Sequence, residues 1–164
     1  RPVKPESLHM TLVFLGYHLE KQIERVAEAA IEVDDRAPEI RLDPEPVGVP
    51  RGRRPRLFAL DAPSEGAVEL QSQVERRLVE ARFYEPEKRP FWPHLTVARV
   101  RPERRGSRKP APVETPPGPL PEQLFRPFSA VRLTLYRSHL RPQGAEYIPM
   151  AVKDLKPAES TTER

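Results

Sequence analysis

Proline decides where regular structure can stand in this chain. It supplies 22 of the 164 residues, more than twice an average share of about 5%, and each one fixes φ and removes a backbone donor. Seven fall between Pro102 and Pro121, a density that predicts a long mobile loop over Arg101–Pro121 in place of helix or sheet; made basic by Arg104, Arg105, Arg108 and Lys109, it reads first as an inert insertion and second as a substrate-steering segment. Pro44 and Pro46 interrupt the run Glu39–Val47 and predict an irregular edge strand there. Elsewhere the periodicities are clear. Ile23, Val26, Ala27, Ala30 and Ile31 recur at helical spacing within Glu20–Val33. Ala67, Leu70, Val74, Leu78 and Ala81 do the same after Ser64, a residue suited to cap a helix. Strands are predicted at Leu8–Leu15, Leu57–Asp61, His94–Val100, Val131–Tyr136 and Glu146–Leu155, with Gln143-Gly144 turning the last pair.

Two of those strands carry the same pattern. Leu8-His9-Met10-Thr11-Leu12 and Pro93-His94-Leu95-Thr96-Val97 each set an imidazole and a hydroxyl two residues apart, and so on one face of a strand. The second copy is preceded by the strand Leu57–Asp61 and the helix Ala67–Ala81, whereas the first follows a chain start at Arg1, which is not Met. By analogy about 35 more residues would complete the first copy. The expectation is an N-terminally truncated chain lacking the first strand and helix of one lobe, with an unpaired sheet edge prone to self-association.

The length suits one domain over residues 1–155, with residues 156–164 a polar, disordered tail. With no cysteine, disulfides and thiolate metal sites are excluded. The apolar runs are too short to span a bilayer, and no charged-then-apolar leader is visible, so the expectation is a soluble, cytoplasmic protein. The net charge of +4 arises from 28 basic against 24 acidic residues, a near balance that is only a weak pointer to an anionic partner. The basic run Pro50–Arg56 reads first as a solvated hairpin turn and second as an RNA-backbone contact.

Two histidines facing one phosphorus would form an acid–base pair. Neutral imidazole accepts a proton near neutral pH and imidazolium donates one, so one ring can deprotonate an attacking water while the other protonates the leaving oxygen. Thr11 and Thr96 would then donate to non-bridging phosphoryl oxygens, with Arg99 a further anion partner. The scheme needs no cofactor and no metal.

The two motifs, their order and the form Pro93-His94-Leu95-Thr96-Val97-Ala98-Arg99 resemble the two-histidine (2H) phosphoesterase superfamily, and within it the RNA 2′,3′-cyclic phosphodiesterases, also called 2′-5′ RNA ligase-like. The likeness extends through Pro5–Gly16 and through Leu133–Leu155 with Ser138, Gly144 and Tyr147. It implies an α+β fold, bilobal and pseudo-symmetric, with two antiparallel sheets, helices outside and a central cleft. It also implies hydrolysis of RNA 2′,3′-cyclic phosphate ends to 2′-phosphomonoesters, reversible as 2′-5′ joining. His9 and His94 would be the catalytic pair, with Thr11, Thr96 and Arg99 on the substrate. The same resemblance makes His9 the acid and His94 the base, which their order in the chain does not settle. The expected partner is an RNA end or a nucleotide bearing a 2′,3′-cyclic phosphate, without membrane or metal. The alternatives are a non-catalytic module binding nucleotide or RNA phosphate, and an enzyme for a small cyclic nucleotide. His18 and His139 lack a threonine partner and read as structural or exposed. Phe14, Phe91, Trp92 and Tyr147 read as core ahead of a base-stacking platform.

Overall fold

The computed structural model describes residues 1–52, 54–141 and 144–157. Arg53, Gln143 and the tail from residue 158 onward, which figured in the expectations above, lie outside the described residues. In chain order the elements begin with a 3-10 turn at Pro5–Ser7 and another at Glu20–Gln22 that leads into helix α1 (Ile23–Ile31). Strands β1 (Glu39–Ile40), β2 (Val47–Val49) and β3 (Leu57–Asp61) follow, then helix α2 (Glu65–Glu80) and strand β4 (His94–Arg99). A 3-10 turn at Glu122–Leu124 precedes β5 (Phe128–Ser129), β6 (Arg132–Arg141) and β7 (Gly144–Asp154). The fold is α+β, and its strand pairs are antiparallel. Two compact units divide it: residues 1–11, 41–63 and 92–127 form the first, and residues 12–40, 64–91 and 128–164 the second.

The first unit is built on the sheet β2-β3-β4. Phe58, Ala59 and Leu60 of β3 are buried, as a branched and aromatic central strand should be. β2 is an edge strand, but the single irregular strand expected over Glu39–Val47 is instead divided between β1 and β2, with residues 41–46, where Pro44 and Pro46 lie, in neither. At Gly48 a Cβ would stand 3.2 Å from Pro55 and 3.5 Å from the Phe58 ring, so the close approach of these strands uses the missing side chain. The opposite edge, β4, is flanked by the first residues of the chain: Pro2 bridges Ala98, the Val3 N–H donates to Val97 O at 2.8 Å, and the Arg99 N–H donates to Arg1 O at 2.9 Å.

The second unit centres on α1 and α2, whose buried Val26, Ala29, Ala30, Val74 and Leu78 form one cluster with Phe83. Leu133 and Leu135 of β6 cover it, with Leu12, Val13 and Leu15. Val26 and Leu78 are 1% exposed, and burying each contributes about 1.5–3 kcal/mol. Ser64 caps α2 as predicted, its Oγ accepting from the Ala67 N–H at 3.1 Å and donating to Glu39 O at 2.6 Å. The far end of α2 closes with two bonds, Arg82 N–H to Val79 O and Phe83 N–H to Leu78 O, both 2.9 Å, with Arg82 at φ +60°. That pattern satisfies helix-end carbonyls through a residue in the left-handed region. Lys153 on β7 donates to the carbonyls of Ile31, the last residue of α1, and of Val33 just beyond it, which have no helical partner of their own.

Two further expectations fail. Leu8–Leu15 is not a strand: among the described residues no strand pairs with it, and alternating side chains make no strand without a ladder to join. Phe14, read as core, is 73% exposed in consequence. The proline-rich segment 101–121 carries neither helix nor strand, as its proline content predicted, but it is closed by one isolated bridge. Pro102 pairs with Pro110 across an antiparallel bridge, with Glu103 N–H donating to Lys109 O at 2.9 Å and Ala111 N–H to Arg101 O at 2.8 Å. The neighbours supply the donors that proline lacks, so the density of proline did not forbid the pairing.

Candidate active site

Both His-x-Thr motifs belong to the first unit. The segment Arg1–Val3 runs antiparallel to β4 with Arg1 beside Arg99 and Val3 beside Val97, so the chain travels toward the His94 end of β4. There the turn Pro5–Ser7 delivers it to His9, with Leu8 extended at φ −73°, ψ 124°.

The two imidazoles are held by the same device. His9 Nδ1 lies 2.8 Å from Ser7 O, and His94 Nδ1 lies 2.7 Å from Trp92 O; in each case the partner is the carbonyl two residues earlier. A carbonyl oxygen only accepts, so each Nδ1 is the donor and carries the proton of the neutral ring. Nε2 is then the basic nitrogen of each, the one able to take a proton from, or return it to, a reacting oxygen. Both rings are half-buried.

Thr96 and Arg99 follow His94 along β4, and strict alternation would put Arg99 on the opposite face from His94 and Thr96. The register corrects this. His94 pairs with Asp61 and Thr96 with Ala59, but Phe58 pairs with Ala98 and Leu57 with Arg99, leaving Val97 as an extra residue on β4. Leu57, Ala59 and Asp61 share one face of β3, and cross-strand partners point the same way, so the bulge returns Arg99 to the face of His94 and Thr96. Arg99 is exposed and Thr96 half-buried. Thr11 is exposed and lies outside any strand, so the face-sharing predicted for His9 and Thr11 on a strand does not arise.

With this arrangement in view, the comparison with known proteins is direct. A family model described as the 2′-5′ RNA ligase superfamily matches residues 2–141. The chain belongs to that superfamily of two-histidine phosphoesterases. A curated relative named RNA 2′,3′-cyclic phosphodiesterase, from Bacillus subtilis (strain 168), is 34% identical over 102 residues, covering 59% of this chain and 54% of that protein. The chain thus matches about half the length of this relative. Among solved structures, TT0787 of Thermus thermophilus aligns with a TM-score of 0.73 at 27% identity, over 94% of this chain and 81% of that one. Escherichia coli LigT, solved in complex with 3′-AMP, aligns with a TM-score of 0.70 at 23% identity over 94% and 80%, a likeness of fold.

In this member of the superfamily His94 has neighbours that the sequence reading missed. The Trp92 indole stacks on the His94 ring, 4.0 Å between centroids and 15° from parallel, and its Nε1–H donates to Asp61 Oδ1 at 2.6 Å. Asp61 is the cross-strand partner of His94, and Arg51 lies 3.5 Å from its other oxygen. Trp92 was read as core; it is half-buried and supports the imidazole instead. Its place two residues before His94, across Pro93, was a visible signal, whereas the register that brings in Asp61 was not. His18 is structural as expected, its Nε2 3.1 Å from Leu15 O and its ring edge-on to Phe83. A concavity of about 490 Å³ beside β2 and β3 is lined by Asp43, Glu45 and Asp61 against Arg51. Neither motif histidine lines it, and three carboxylates do not suit a phosphate.

Proposed function

We propose that this chain is a phosphodiesterase that opens 2′,3′-cyclic phosphates at RNA ends to 2′-phosphomonoesters, with His9 and His94 as paired acid and base. The observation that supports it best is the shared Nδ1–carbonyl bond, which leaves Nε2 as the proton-transferring atom of both rings. Water attacks phosphorus as His94 Nε2 takes its proton. The bond from phosphorus to O3′ breaks, and protonated His9 supplies the proton that O3′ needs, leaving the phosphate on O2′. Thr11, Thr96 and Arg99 donate to the non-bridging oxygens, whose charge grows toward the transition state. A 5′-hydroxyl in place of water would attack the same phosphorus and join two RNA ends through a 2′,5′ bond.

The test is turnover of a 2′,3′-cyclic mononucleotide and of an RNA oligonucleotide with a 2′,3′-cyclic end, both in EDTA. The expected product is the 2′-phosphomonoester. His9→Ala and His94→Ala should each lower the rate by about 10²–10⁴, while His18→Ala leaves it unchanged. Tight binding without product would leave only a phosphate-binding module, and loss of turnover in EDTA would contradict the metal-free scheme.

A further inference from the structure

The whole-chain charge of +4 conceals a division. The first unit, which carries both histidine motifs, has 14 basic and 7 acidic residues, net +7, and the second has 14 and 17, net −3. Pairing differs as well. In the second unit Arg77 meets Glu32 and Glu80, Arg137 meets Glu20, Arg89 meets Glu87 and Lys156 meets Asp35. In the first, among the described residues, ion pairs are confined to Lys4 with Glu6 and Arg51 with Asp61. The other described cations of this unit are exposed and make no ion pair with a described residue.

Part of this charge gathers at the end of β4 and in the segment that follows it. The Val100 N–H donates to Arg56 O at 2.8 Å, which sets Arg56 beside the end of β4, where Arg99 and Arg101 also stand. From there the chain rises into the finger closed by the Pro102–Pro110 bridge. Its tip turns at Gly106, φ +79°, with Ser107 N–H donating to Arg104 O and Lys109 N–H to Ser107 Oγ, both 3.0 Å. Arg104, Arg105, Arg108 and Lys109 project from this finger, all exposed.

We infer that the finger 101–111 is an RNA-backbone clamp, so that the substrate is a single strand held several nucleotides away from its reacting end. This rests on the function proposed above. A single-stranded phosphate backbone matches a set of exposed guanidinium groups, and a lone nucleotide cannot reach both places. With Val97 bulged, the six remaining steps from His94 to Arg101 at about 3.3 Å each span ~20 Å. That distance corresponds to about 6 stacked nucleotides at ~3.4 Å each.

The experiment replaces Arg104, Arg105, Arg108 and Lys109 together by Ala; none of them belongs to the proposed catalytic machinery. Kd for a labelled 12-nucleotide RNA with a 3′-phosphate is measured against salt, and turnover is measured on cyclic-phosphate-ended substrates of 1, 4 and 12 nucleotides. Four lost contacts should lower the slope of log affinity against log salt by about 3. Between 50 and 200 mM salt the wild type should then lose about 50-fold more affinity than the variant. KM should rise for the 12-nucleotide substrate, while kcat/KM for the mononucleotide stays within twofold. An unchanged salt slope would overturn the clamp, as would equal damage to mononucleotide turnover. Competition by polyglutamate as strong as by RNA would overturn the choice of RNA over an acidic protein. If the wild type turns over no substrate, the functional reading fails, while the binding measurement still decides the clamp.

Discussion

The stacking of Trp92 on His94 supports a quantitative prediction. If His94 moves the proton of the attacking water, its ring must hold one orientation, and two contacts besides the Nδ1 bond secure it. The stack at 4.0 Å and 15° is worth about 0.5–1.5 kcal/mol. The bond from Nε1–H to Asp61 at 2.6 Å anchors the indole and, being made to a charged acceptor, would be worth about 1.5–3 kcal/mol. Asp61 is 30% exposed, so the lower half of that range applies. Losing both contacts removes about 2–4 kcal/mol of orientation, and a tenfold change in rate is about 1.36 kcal/mol. Trp92→Leu should therefore lower kcat on a 2′,3′-cyclic substrate by roughly 10²-fold. Trp92→Phe, which keeps an aromatic face and loses the N–H, should cost about tenfold. KM should move little, because neither contact reaches the substrate. Trp92 is the single tryptophan of the chain, so in Asp61→Asn its emission reports directly on the freed ring, through easier quenching by iodide. A freed indole with unchanged kcat in Asp61→Asn would refute the argument, as would a Trp92→Leu enzyme that loses only KM.

Arg82 occupies the left-handed region at the end of α2, at φ +60°, where a side chain costs about 1 kcal/mol. Arg82→Gly should raise the calorimetric Tm by about 2–4 °C, and a lower Tm would count against that account. The pair Asp35–Lys156 gives a pH prediction. The hydrogen bond and charge of Lys156 hold the Asp35 carboxyl below its ordinary 3.8, and the same partner raises Lys156 above its ordinary 10.5. Asp35 thus contributes stability above pH 3.8 that is lost as pH falls through its lower folded value, and Lys156 contributes below pH 10.5 what is lost as pH rises through its higher one. The difference in urea midpoint between wild type and Lys156→Met should be small but constant through neutral pH and shrink at both extremes; a difference that grows in acid would contradict the pairing.

Much of the fold was legible because it rests on local pattern. The spacing of Val26, Ala30, Leu70, Val74 and Leu78 fixes the buried faces of both helices, and Ser64 sits where a cap is needed. Leu57–Asp61 reads as a strand from composition and is one. Long-range pairing was not legible. The alternation in Leu8–Leu15 is genuine, but a strand is a relation between two segments, and the register that would supply its partner is not written in those eight residues. The same limit hid Asp61, which reaches the site only because β3 aligns it with His94. Arg99 was named from the sequence, but its place on the His94 face rests on the same register, since alternation removes it from that face and the bulge at Val97 returns it.

The two histidines show where the constraint on the motif lies. His94 begins a strand, and Pro93 before it biases Trp92 toward extended backbone, which aims the Trp92 carbonyl at Nδ1. His9 lies in no strand. Its carbonyl comes from Ser7 at the end of a 3-10 turn, held by Ser7 N–H to Lys4 O at 2.9 Å and Leu8 N–H to Pro5 O at 3.1 Å. Two unlike backbones thus converge on one bond, Nδ1–H to the carbonyl two residues back. If the repeated motif served only to build a strand, the copy that forms no strand would have no reason to keep that bond. Its presence in both ties the motif to the tautomer of the ring: each neutral imidazole is held with Nε2 as its basic atom.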